Sequence, residues 1–182
     1  MQLLTLLGVG VGALASFVST RLVDRSRWQR EEAVRWEMKR LECYSEFSSS
    51  ISHFTNIANR ISAGLNLPAN VQPVDTDTTL ADMAAAEAEL SVKWEQMLML
   101  GSPEAITAAQ EWRHEAWQLE SFARGSRSDP AEFLKATQDR REARRRFYTA
   151  ARADLGVLSG DIPTTVDRRP AWMRQTHEPS DP

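Results

Sequence analysis

The alternation of apolar and polar positions divides this chain sharply. Met1 to Thr20 hold no charged side chain, and Arg21, Arg25, Arg27 and Arg30 follow at once. With Leu22 and Val23 the apolar stretch reaches the roughly 20 residues that cross about 30 Å of hydrocarbon. Arg21 can lift its guanidinium to the headgroups while its stem stays apolar. Trp28 falls where an amphipathic ring suits the interface. The expectation is a transmembrane helix over residues 1–23, followed by an interfacial collar of Arg21, Arg25, Arg27, Trp28 and Arg30. Because the basic excess lies wholly on the C-terminal side, the N-terminus is expected outside an inner (cell) membrane and the rest in the cytoplasm. A cleaved export signal is the rival reading: Ala13-Leu-Ala15 passes as a cleavage site, but Met1-Gln2 bring no positive charge ahead of the apolar run.

Beyond the collar the period is helical throughout. No Pro or Gly interrupts residues 21–63. Tyr44, Phe47, Ile51, Phe54, Ala58, Ile61 and Leu65 recur at alternating steps of three and four, a heptad seam that needs a partner helix. Asp24 to Glu42 is richly charged and is expected to form a solvated stalk. Pro68 and Pro73 mark a loop. A second helix is expected from Thr79, with Leu80, Met83, Leu90, Trp94 and Met97 on its seam and Glu87 as the one charged interruption, which a slight rotation that buries Ala86 would leave at the edge. Gly101 should end it. Ser102-Pro103-Glu104 and Asp129-Pro130-Ala-Glu132 are two copies of one start signal: a capping side chain, proline in the first turn, then an acid. The third helix carries Ala105, Ala108, Trp112, Leu119 and Phe122. The fourth carries Phe133, Leu134, Phe147, Ala151, Leu155 and Leu158.

No segment alternates with the period of a strand, so the expected fold class is all-α. It comprises an N-terminal transmembrane helix continuing into a long helix that packs in a four-helix, coiled-coil-like bundle. The expected boundaries are 1–23 for the span and 24–160 for the stalk and bundle, with helices near 24–63, 79–100, 103–124 and 130–159. Residues 161–182, rich in proline, are expected to form a disordered tail.

One stretch resembles a known group. Asp24-Arg-Ser-Arg-Trp28, Arg35-Trp36 and Arg40-Leu41-Glu-Cys-Tyr44-Ser-Glu-Phe47, directly after an N-terminal apolar helix, resemble small single-pass membrane proteins of high-GC Gram-positive bacteria. Their pattern is a membrane helix, then D-R-x-R-W, R-W and R-L-x-x-Y-x-x-F, then a variable helical region. The resemblance covers about the first third of the chain and implies a location, not an activity. A physical account is that Trp36, Arg40 and Tyr44 are i,i+4 neighbours, so guanidinium groups can lie along aromatic faces. Leu41, Tyr44 and Phe47 would then open the bundle seam.

Charge and chemistry add less. The net charge is −3, so nothing pulls the chain globally toward nucleic acid, and no nucleic-acid partner is expected. The lone Cys43 allows no internal disulfide and suits a small buried side chain. There is no phosphate loop, no G-x-S-x-G, no H-E-x-x-H and no C-x-x-C, so no catalytic, cofactor or metal residue is assigned. Glu111-Trp-Arg-His114 is a single E-x-x-H unit, which His53 and Glu87 could extend into a small metal site; a solvated surface pair is the plainer reading. Arg140, Arg141, Arg144, Arg145 and Arg146 form the densest basic cluster, either a salt-bridged face or a contact for anionic lipid or an acidic protein. Gly8, Gly12 and Ser16 share one face of the apolar helix, where small residues let two backbones approach, which makes them a candidate homodimer face. The partners expected are therefore the lipid bilayer, a second copy and an unknown protein.

Overall fold

In the computed structural model four helices follow one another: α1 (Gln2–Gly64), α2 (Thr76–Leu100), α3 (Pro103–Ala123) and α4 (Pro130–Asp154). The structure describes residues 2–74, 76–157 and 162, with side chains from residue 32 onward except 75–79. No strand occurs among the described residues, so the chain is all-helical. The chain divides into two units, Met1–Lys39 and Arg40–Pro182.

In the first unit, every described side chain from Glu32 to Lys39 is exposed, and the Lys39 ammonium lies 5.1 Å from the centre of the Trp36 ring. Four of these eight side chains, Ala33, Val34, Trp36 and Met38, are apolar and stand exposed all the same. The expected dimer face of Gly8, Gly12 and Ser16 and the collar of Arg21, Arg25, Arg27, Trp28 and Arg30 lie outside the described side chains, as does the expected span. Among the described residues no helix is long and apolar enough to cross a membrane.

The second unit is a helical bundle. The α1 seam enters its core as the spacing demands: Tyr44, Phe47, Ile51, Phe54, Ala58 and Ile61 are all buried. Phe47, Trp112 and Phe147 form its centre, with Trp112 and Phe147 at 5.4 Å and Phe47 edge-on to Trp112 at 6.0 Å. Such offset and edge contacts add to the area each ring buries. A second cluster of Leu67, Leu119, Phe122 and Phe133 closes the other part of the core.

The helix ends follow local chemistry. Ser102 accepts from the Ala105 amide, and Asp129 from the amides of Ala131 and Glu132, so both expected caps form. α3 and α4 end alike. Ser126 donates to the Ser121 carbonyl and Gly125 to Phe122, while Val157 donates to Arg152 and Gly156 to Ala153. This paired ending needs a residue at positive φ, which Gly125 and Gly156 supply at 71° and 68°.

Several expectations are corrected. Leu41 is 56% exposed, so the seam opens at Cys43 and Tyr44. Leu65 is exposed because α1 ends in the same paired motif, with Asn66 at φ 62°, and the turn hands the core position to Leu67. Leu134 is exposed because Phe133 and Ala136 take the inward positions at the start of α4. α2 begins at Thr76 rather than Thr79, and α4 stops at Asp154 rather than near 159. Arg40 does not bridge Trp36 and Tyr44; its guanidinium lies 3.5 Å from Asp154. Glu87, by contrast, lies half-buried at the edge of the seam as expected, because α2 turns Ala86 inward.

Candidate docking surface

One polar side chain, Tyr44, ties three parts of the bundle together. Its hydroxyl donates to Asp154 Oδ2 at 2.6 Å and accepts from the Ser102 amide at 3.2 Å. One side chain on α1 thus ties the end of α4 to the α2–α3 link. Burial, and then the bond to Asp154, push the Tyr44 phenol up to about 12. An open groove of about 550 Å³ lies beside this knot, lined by Ser102, Glu104, Arg145, Arg146, Thr149 and Asp154 among others. Its charges are mixed and Asp154 is already engaged, so it is a structural seam with no surplus of either sign.

The five clustered arginines do not converge. Arg145 pairs with Glu142, and Arg146 lies 2.9 Å from Glu111 and 3.8 Å from Glu142. The Arg144 guanidinium sits 5.4 Å from the Tyr148 ring centre. Arg140 and Arg141 border a separate groove of about 300 Å³ with Asn59, Pro68 and Asn70. The cluster is laced into its neighbours, which is how a helix with this many charges avoids self-repulsion. The E-x-x-H unit does not assemble either. Glu111 is held by Arg146, exposed His114 lies 3.4 Å from Gln118, and His53 is exposed on α1. No group of three or more metal-ligating side chains occurs among the described residues. Burial pushes the Cys43 thiol up, which leaves it protonated and unreactive.

A different constellation is present on the α2–α3 surface. Arg113 lies between two indoles, 4.5 Å from the Trp117 ring centre and 5.3 Å from that of Trp94. Its Nη2 donates to Ser91 Oγ at 3.4 Å. Burial pulls the guanidinium below its usual value, and the carboxylates of Glu87 and Glu95 push back. Trp94 reaches inward to Phe47, with ring centres 6.2 Å apart, whereas Trp117 stands 37% exposed and Leu98 46% exposed. No family model, curated protein or solved structure matches this chain. The geometry therefore has to speak for itself. Its chemistry is that of an anchor: two large amphipathic rings hold an arginine in place before anything binds, at low further entropy cost. Trp and Arg in such settings carry much of the energy of protein interfaces.

Sequence reading missed this rung. Spacing places Trp94 on the core seam, where it does pack against Phe47, but gives Arg113 and Trp117 no site. The available signal was the i,i+4 spacing of Arg113 and Trp117, together with the two-residue α2–α3 link. That link makes the helices antiparallel neighbours and brings Arg113 level with Ser91, within a turn of Trp94.

Proposed function

We propose that this chain is a non-catalytic, single-pass membrane-anchored helical interaction module. In this reading residues 1–23 are the anchor and the bundle faces the cytoplasm. A partner protein docks on the α2–α3 surface. The observation that carries the interaction reading is the Trp94–Arg113–Trp117 rung, in which Trp94 is seated against the core, Arg113 lies against both indoles and Trp117 stands exposed. The anchor rests on the charge-free first twenty residues and their one-sided basic collar. The resemblance to small single-pass membrane proteins of high-GC Gram-positive bacteria supports the same location. Pairing of two copies through Gly8, Gly12 and Ser16, continued by a coiled-coil-like stalk, is part of the reading.

A tag placed after Pro182 tests the anchor and its orientation. Membrane-bound and protease-protected in intact cells is the expected result; an exposed or released tag overturns it. Trp117→Ala tests the docking face. The variant should keep the thermal transition of the parent and lose the proteins that the parent captures from membrane extracts. Equal capture by both would remove the rung from the proposal. Gly8→Ile with Gly12→Ile should abolish cross-linked dimers. The sequence Ala13-Leu-Ala15 favours one second reading, an exported helical protein cleaved near Ala15, and the mass of the mature N-terminus separates the two.

A further inference from the structure

The outer face of α2 is apolar where a surface helix should be polar. Ala81, Ala84, Ala85 and Ala88 are exposed, Val92 is 58% exposed and Met99 75% exposed. Glu95 is the only charge on that stripe. Met83, Ala86, Leu90 and Met97 fill the opposite, buried face, so α2 carries two apolar faces with charge between them, the pattern of a helix covered on both sides. The rim is acidic. The helix carries Asp77, Asp82, Glu87, Glu89 and Glu95 against the single Lys93, and Lys93 is bound to Glu46 at 3.0 Å.

The complementary chemistry lies in the same chain. Residues 166–174, Val-Asp-Arg-Arg-Pro-Ala-Trp-Met-Arg, hold three arginines against one acid and the apolar pair Trp172-Met173. The chain leaves α4 at the end of the bundle where α2 finishes. Tyr44 joins Asp154, the last residue of α4, to Ser102, three residues after Met99. From Val157, nine extended residues reach about 30 Å. The outer stripe from Met99 to Ala81 is about 27 Å long. α4 is a poor alternative seat, since its seven bases against four acids would repel the same arginines.

We propose that residues 166–174 dock on the outer face of α2, with Trp172 and Met173 over the Ala88–Val92–Met99 stripe and Arg168, Arg169 and Arg174 toward Glu89 and Glu95.

The test uses the full chain in detergent, with the photo-cross-linking residue benzoylphenylalanine replacing Met99 in one sample and the exposed Leu134 of α4 in another. Irradiation and peptide mapping should give, from position 99 only, an adduct to residues 166–174 within a monomer-sized species. Reversing Arg168, Arg169 and Arg174 to Glu should cut that adduct about tenfold or more, since attraction to Glu89 and Glu95 becomes repulsion. Unchanged circular dichroism would show that the bundle is intact in the variant. Adducts to a second chain, to detergent or to any other segment overturn the proposal, as does a yield that survives charge reversal.

Discussion

α2 and α4 are both 25 residues long, and their outward faces are opposites. α4 buries Phe133, Ala136, Ala143, Phe147 and Ala151 and covers the rest of its circumference with charge, much of it paired. Its surface is complete as it stands. α2 buries a comparable row and then presents alanines, Val92 and Met99 to solvent. Burial alone could hold either helix in the bundle. The difference lies in what the outer faces can meet: α4 offers ion pairs already made, whereas α2 offers apolar area with an acidic rim.

The inner rows of the two helices should not be equal. Phe147 is fully buried and touches Phe47, Trp112, Tyr44 and Tyr148 through its ring. Phe147→Ala should cost roughly 3–5 kcal/mol in chemical denaturation, the largest effect of any change on α4. Met97→Ala on α2 should cost less, about 2–4 kcal/mol, because an unbranched thioether leaves a cavity that its neighbours fill more readily. Reversed magnitudes would mean that α2 holds the aromatic centre together rather than resting against it.

A smaller effect should appear in alkali. The Tyr44 phenol is raised in the folded bundle from 10 to about 12, so the native state keeps a proton that the unfolded chain loses first. The stabilisation is fully present below pH 10 and is lost as pH rises through 12, by roughly 2 kcal/mol. Tyr44→Phe should be less stable than the parent at neutral pH, since it leaves Asp154 and the Ser102 amide without their shared partner. Its stability should also fall less between pH 10 and 12. An identical alkaline decline in both proteins would detach Tyr44 from the end of α4 and remove the tie that brings the chain end beside Met99.

How much of this was legible follows from the same two helices. Where one face is apolar and the rest charged, spacing alone finds the core: the seam of α1 from Tyr44 to Ile61 and the row on α3 from Ala105 to Phe122 are both buried as spaced. Ser102 and Asp129 were legible because a cap is a local event between a side chain and amides two or three residues on. Helix ends set by the turn beyond them were not. Leu65 looked like the next seam residue until Asn66 took positive φ and gave the position to Leu67. On α2 the inner row of Met83, Leu90 and Met97 is buried as spaced too, and at its edge Ala86 turns inward while Glu87 lies half-buried; what spacing does not record is why the opposite face should be apolar as well. The Arg113 rung and the Tyr44 knot depend on packing between residues 19 to 110 positions apart, which no periodicity records.

The smallest predicted effects sharpen the contrast most. Arg146 and Glu111 are each about half exposed at 2.9 Å, and Arg146→Ala should change stability by no more than about 0.5 kcal/mol. Val92→Lys on the outer face of α2 should be equally quiet in a denaturation curve, because an exposed position away from caps and core contacts carries little folding energy. Two chemically opposite faces would then be alike for folding and differ only in what they can hold. A loss of 2 kcal/mol or more in Val92→Lys would instead assign that face to the bundle's own packing, and the apolar surplus of α2 would belong to stability rather than to recognition. Near-neutral results at both sites leave recognition as the remaining reason for a surface helix to spend four exposed alanines, a valine and a methionine on solvent.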